Sequence, residues 1–316
     1  MLLALLILLG LAAPIAIPLA TDQPPAYVAP LERDHTLVGK VWLPASQSFI
    51  EPAELVTRAE AADAVLLGET HDNPDHHALQ AWMLARLLAS GKRPLVAFEM
   101  IDAGQAQALD RYLAASPTDA AGLGDALDWD KSGWPAWSMY RPIAEAAMQA
   151  GVPLAPANLT REQVRALIKA EPEKPLPPLP SEQAGALEHE IAESHCGMLP
   201  AAALPGMVRV QRSRDAVMAE TLAKGMARQQ AAVLIAGAGH VRTDRGVPVA
   251  LSREAPAAKV LSIAFLEVKD GETDPAAYGG LFDTDRLPFD AVWFTPRAER
   301  EDQCEALKRH LERKKG

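Results

Sequence analysis

Six short apolar runs constrain the fold most strongly. They are AVLLG (64–68), PLVAFEM (94–100), VPLAPAN (152–158), AVLIAGAGH (232–240), KVLSIAFLEV (259–268) and AVWFTP (291–296). Near-continuous apolar character over such lengths is the pattern of strands buried on both faces of a parallel sheet. Helix-like stretches separate several of them. In HHALQAWMLARLLAS (76–90), Leu79, Met83, Leu84, Leu87 and Leu88 fall close to helical spacing. Asn73 before Pro74 is a start signal and Gly91 a stop. Alternating strand and helix predicts βαβ units, hence an α/β fold with a central, mainly parallel sheet flanked by helices. With 316 residues, 49% of them hydrophobic, the chain can bury a sizeable core without staples.

Two inserts interrupt the alternation. Residues 102–140 start with a helical pattern and end in LDWDKSGWPAWSMY, which holds three of the six tryptophans and Tyr140. Residues 181–228 read as a helical insert broken at HCGMLP (195–200), preceded by a Pro-rich linker, EPEKPLPPLP (171–180). The organisation expected is a signal peptide or N-terminal anchor over 1–20 and a linker over 21–34. An α/β domain over 35–297 and a charged tail over 298–316 follow. Residues 1–20 are apolar and uncharged, long enough to approach a membrane span, but broken by Pro14 and Pro18. Their small residues favour export to the periplasm or membrane association, and without a cysteine no lipid attachment is expected there.

A net charge of −10 argues against a broad basic surface for nucleic acid, and no zinc-finger, Walker or G-x-G-x-x-G motif is present. Cys196 and Cys304 form no C-x-x-C motif; one bridge and two free thiols both remain open.

The chemistry collects at the strand ends. Glu69 and His71 follow the first run, Glu99 ends the second, Asn158 ends the third and His240 follows the fourth. In an open parallel sheet, ligands bind beyond the carboxyl ends of the strands. GETH (68–71) and GAGH (237–240) are both G-x-x-H after a strand, and glycine allows a sharp turn and close approach. Glu69, His71, Glu99 and His240 are therefore the candidate catalytic residues. The same four can hold a divalent metal, perform acid–base chemistry or bond to one another. Trp134, Trp137 and Tyr140 suit packing of the insert or an aromatic ligand wall. Tyr140 can ligate ferric haem iron as tyrosinate. His195 is a further candidate ligand, and Arg212 can reach a ligand carboxylate. Arg209, Arg212 and Asp215 are also explained by a surface salt bridge. No G-x-S-x-G elbow is present, so a serine nucleophile is not expected.

These motifs resemble the ChaN-like family: LLGETHDNPDHHALQ, VAFEM, the W-P-x-W-x-x-Y segment ending at Tyr140, HCGMLP, QRSRDAVMAE and AGAGHVRTDRGVPVAL. The resemblance covers roughly residues 35–265. It implies haem-binding proteins of bacterial haem or iron uptake, in a wider superfamily with TIKI metalloproteases and erythromycin esterases. It further implies a site at the strand ends, an iron-contacting tyrosine and dimers enclosing paired haems. Haem is thus the expected cofactor, with Tyr140, His195 and Arg212 its candidate contacts. The alternative is a divalent metal at Glu69, His71, Glu99 and His240 serving a hydrolase.

Overall fold

The computed structural model describes residues 21–171 and 176–313. The expected export segment, residues 1–20, and part of the expected linker 171–180 lie outside the described residues. Among the described residues, no helix is long and apolar enough to cross a membrane.

In chain order the elements begin with β1 (Val41–Leu43), β2 (Ser48–Ile50), α1 (Pro52–Ala61), β3 (Ala64–Glu69), α2 (Pro74–Ala89) and β4 (Leu95–Asp102). Next come α3 (Ala106–Ala115), α4 (Leu123–Ala126), α5 (Trp137–Gln149), β5 (Leu154–Asn158), α6 (Arg161–Lys169) and α7 (Ser181–Ser194). The chain closes with α8 (Leu204–Gln229), β6 (Ala232–Gly237), α9 (Val247–Glu254), β7 (Val260–Glu267), β8 (Ala291–Thr295) and α10 (Gln303–Arg313). The eight strands form one sheet in the order β2-β1-β8-β7-β3-β6-β4-β5. Pairing is parallel from β8 through β5, while β1 is antiparallel to both β2 and β8.

All six expected strands form. Every residue of β3 and β6 is buried, as central parallel strands require. The edge pair β1 and β2 went unanticipated, because three residues are too few to show a period. The α2 signals act as expected: the Asn73 side chain accepts from the Asp75 amide, Pro74 opens the helix and Gly91 takes φ +93° just past its end.

Alternate residues of each strand enter different layers. Val65, Leu67, Val96, Phe98, Val233 and Ile235 pack in one core with α1, α2 and α5. Leu66, Ala97, Leu234 and Ala236 pack in the other, with Met218 and Leu222 of α8. The expected insert 181–228 is therefore corrected in part. Its second half, α8, is the core crossover helix that covers β4, β5 and β6. Residues 21–34 are docked rather than free: the Val28 and Ala29 amides donate to Asp75 at 2.7 and 3.1 Å, and Leu31 bridges to Arg297.

The charged tail carries α10, and Cys304 at its start is disulfide-bonded to Cys196 just beyond α7. Reduction is expected to destabilise the protein by well under the ~4.7 kcal/mol that a loop of about this size allows, because the exposed tail can leave without opening the core. Urea melts with and without reductant check this; a loss near the full loop value would mean that the tail is integral to the core.

Candidate functional site

Strand parity sorts the two carboxylates. Glu69 continues the Val65–Leu67 series and enters the layer of α2 and α5. Glu99 continues the series of Ala97 and enters the layer of α8. Both lie at the carboxyl edge near β6, which is inserted between β3 and β4, so the chain crosses over at this point.

Glu69 is buried among three partners. Its Oε1 accepts from His71 Nδ1 at 2.9 Å and from the Tyr140 hydroxyl at 3.1 Å. His77 Nδ1 stands 2.7 Å from Oε2, a charge contact without hydrogen-bond alignment. His77 Nδ1 also faces Gln80 Oε1 at 3.2 Å, and its Nε2 donates to the His71 carbonyl at 2.9 Å. Both ring nitrogens face acceptors, a setting that favours the imidazolium form of His77. Burial opposes that charge, but Glu69 overrides it and raises the His77 pKa. Burial likewise works to raise the Glu69 pKa, and the His77 and His71 contacts bring it below the ordinary value. His76 is the neutral neighbour: its Nδ1 accepts from the Thr70 amide, its Nε2 donates to Thr295, and burial pushes its pKa down to about 3.

On the α8 side, His240 donates from Nδ1 to Asp215 Oδ1 at 2.6 Å and from Nε2 toward Glu99 Oε1 at 3.3 Å. Glu99 Oε2 accepts from the Gly237 amide at 2.8 Å. Burial acts against the His240 charge, yet the two carboxylates lift its pKa to about 10. Burial also acts against ionised Glu99, and His240 overrides it, holding that carboxyl well below the usual range. Asp215 is raised, chiefly by burial.

The two groups meet over Gly237. A Cβ there would lie 3.0 and 3.1 Å from His71 Cε1 and Nε2, and 3.7 Å from Glu99 Oε2. The glycine of GAGH thus admits His71 beside Glu99. The glycine of GETH serves packing instead, since a Cβ on Gly68 would stand 2.3 Å from Val241 Cγ2. Neither takes a positive φ. His71 is 38% exposed, and its Nδ1 is anchored on Glu69. That arrangement leaves Nε2 over Gly237 beside Glu99, with no protein hydrogen-bond partner among the described residues. Burial opposes charge on the ring, and the Glu69 and Glu99 carboxylates override it and raise the His71 pKa.

The structure therefore brings Glu69, His71, Glu99 and His240 to one edge, as two hydrogen-bonded clusters. They do not fit a resident divalent metal in this arrangement. Both nitrogens of His240 are used on carboxylates and Glu69 is taken up by three partners. Among the described residues, no group of three or more His, Cys, Asp or Glu side chains is arranged to hold a metal ion.

A cleft of about 530 Å³ opens beside this edge, over Glu99, Met100 and Asn158. Trp134 forms part of its wall and also stands edge-to-face against His71, with ring centroids 4.9 Å apart. The expected cofactor contacts need correction. Tyr140 is fully buried against His77 and Trp129, and its hydroxyl donates to Glu69. Burial, and then the Glu69 charge, push its pKa far up, so a tyrosinate there is disfavoured. His195 caps the end of α7 with Nδ1 on the Ile191 carbonyl, and Arg212 is bound to the Pro177 carbonyl. Neither joins the cluster or lines the cleft.

Asp215 belongs to the site rather than to a surface salt bridge. It shares the α8 face of Met218, Ala219 and Leu222, which is the sequence signal that it is buried. His77 and Gln80 similarly share the apolar face of Leu84 and Leu87.

The fold and the site together define an α/β protein with a parallel sheet, a charged carboxyl edge and an adjoining cleft. The chain belongs to the family described as haem-binding uptake, Tiki superfamily, ChaN, matched over residues 55–251. No curated protein matches it. Among solved structures, ChaN of Campylobacter jejuni is similar at 23% identity and a TM-score of 0.65, over 80% of this chain and 95% of that one. An erythromycin esterase in its open conformation aligns at 12% identity and a TM-score of 0.46, over 84% of this chain and 99% of that one.

Proposed function

We propose that this protein binds haem at the carboxyl edge of its sheet, with His71 Nε2 as the protein ligand to iron, and serves haem uptake or handling outside the cytoplasm. The observation that carries the reading is the orientation of His71. Its Nδ1 is fixed on buried Glu69, its Nε2 has no protein partner among the described residues, and the half-exposed ring stands one aromatic ring from the cleft. A carboxylate partner of this kind fixes the tautomer and raises ligand basicity. The apolar side chains of Met100, Leu127 and Trp134 suit a flat macrocycle. Support for export comes from the Cys196–Cys304 bridge, which suits an oxidising compartment. A relative is named for cofacial haem binding, so a haem-linked homodimer belongs to the same reading.

Haemin titration followed in the Soret region tests the ligand. His71→Ala is expected to change the ferric spectrum and weaken binding at least about tenfold, the loss of roughly 1.4 kcal/mol. Tyr140→Phe is expected to leave the spectrum unchanged and to cost about 1.5–3 kcal/mol of stability, because it removes a donor to buried Glu69. Among the four tyrosines, Tyr112 holds its hydroxyl on exposed Asp119. A spectrum altered by Tyr112→Phe and untouched by His71→Ala would overturn the histidine assignment.

A second reading is hydrolysis. It is favoured by the approach of His71 Nε2, placed as a base, to the Glu99–His240 pair over Gly237. The metal-dependent form finds no support in the donor set. Turnover of a small ester that disappears in His71→Ala would favour this reading.

A further inference from the structure

The cleft beside the sheet edge contains many charged side chains, and most of them are engaged. Asp102 caps the following turn through the Gly104 amide at 2.7 Å. Asp128 pairs with Lys131 at 2.6 Å. Arg161 donates to the carbonyls of Lys131 and Ser132, tying α6 to the opposite wall. Glu99 is held by His240 and the Gly237 amide. Two guanidinium groups remain. Arg165 stands one turn beyond Arg161 on α6, and Arg214 comes from α8 next to Asp215; both line the cleft. Neither forms an ion pair among the described residues, and Arg214 Nε is buried with no hydrogen-bond partner.

A buried guanidinium N–H without an acceptor costs free energy that a bound acceptor recovers. Arginine forks match carboxylates in particular, through paired N–H donors. The same cleft carries the indole of Trp134, a surface for a planar ring. We propose that Arg165 and Arg214 form a carboxylate clamp that holds the acidic arms of a planar aromatic ligand while its ring lies toward Trp134. Resting on the haem reading, the clamp assigns the two propionates to these arginines and the macrocycle to the space between α6 and the Leu127–Trp134 segment. It also separates anchoring from iron ligation, since the clamp needs no metal.

The test uses the purified protein and three probes: haemin, iron-free protoporphyrin and protoporphyrin dimethyl ester. Binding is followed by quenching of tryptophan fluorescence. Arg165→Gln combined with Arg214→Gln is expected to weaken iron-free protoporphyrin binding about 10–100-fold, the range for lost charge-assisted bonds. The dimethyl ester should bind the wild type as weakly as the free acid binds the double variant, and the two substitutions should not weaken the ester further. Equal binding of acid and ester by the wild type, or unchanged acid binding by the double variant, would overturn the clamp and leave haem binding standing. Haemin binding no tighter than iron-free protoporphyrin, with no effect of His71→Ala, would remove iron ligation and leave the clamp standing. Absence of binding by any of the three would overturn both. Arg165→Gln alone, on the exposed side of α6, keeps the comparison open if the double variant fails to fold.

Discussion

Replacing Glu69 by alanine is expected to lower the unfolding free energy by about 3–5 kcal/mol, the cost of stranding a buried charge. Glu69 is the buried counter-charge of His77, whose two nitrogens already face acceptors. Without the carboxylate, that imidazolium must lose its proton or stay buried and unpaired. Its Nδ1 or Nε2 then confronts an acceptor without a hydrogen. The Tyr140 hydroxyl loses its acceptor at the same time. Urea unfolding with an unchanged slope measures the effect. A loss below about 1 kcal/mol would show that the cluster is hydrated rather than sealed. Restoring neutrality with Glu69→Ala and His77→Phe together should recover part of the loss, because apolar replacement of both partners avoids the stranded charge.

The second large effect is a pH dependence carried by His240. Its folded pKa is raised from 6.5 to about 10. A group raised on folding contributes stability that is fully present below its unfolded pKa and is lost as pH rises through the folded one. The His240 contribution is therefore complete below pH 6.5 and declines toward pH 10. At about 1.4 kcal/mol per unit, its upper limit is of the order of 5 kcal/mol. Asp215 takes part of this back, since its own pKa is raised by burial. The stability gap between wild type and His240→Gln is expected to narrow by about 3–5 kcal/mol between pH 6.5 and 10. A constant gap over that window would mean that His240 is neutral in the folded protein. On the acid side the sign reverses. Glu99 and Glu69 are lowered on folding, so their stabilisation is present above the unfolded value of 4.5 and is lost as pH falls below it.

Much of the scaffold is legible in the chain, for reasons of period and position. Six apolar runs without alternation are what a two-face-buried sheet requires, and all six are strands. The Asn73-Pro74 start and Gly91 stop of α2 depend on local backbone chemistry alone. Glu69, His71, Glu99 and His240 could be placed at one sheet edge because each lies at, near or just beyond the carboxyl end of an apolar run, although β4 continues three residues past Glu99 to Asp102. Parallel pairing then aligns those ends whatever the strand order.

Their partners could not be read the same way. Whether Glu69 meets α2 or α8 depends on which face its strand turns to each layer, and on β6 being inserted between β3 and β4. Asp215 lies 25 positions before His240, and only the packing of α8 on the sheet brings them to 2.6 Å. Tyr140 has the right chemistry for an iron ligand, yet its place on the inner face of α5 aims the hydroxyl at Glu69. Cys196 and Cys304 are 108 residues apart and pair because the tail returns to the end of α7. The sequence alone determined the sheet, its polar edge and the residue types gathered there. Only the tertiary structure decided which of those groups neutralise one another and which stay free for a ligand, because burial and pairing depend on contacts between elements distant in the chain.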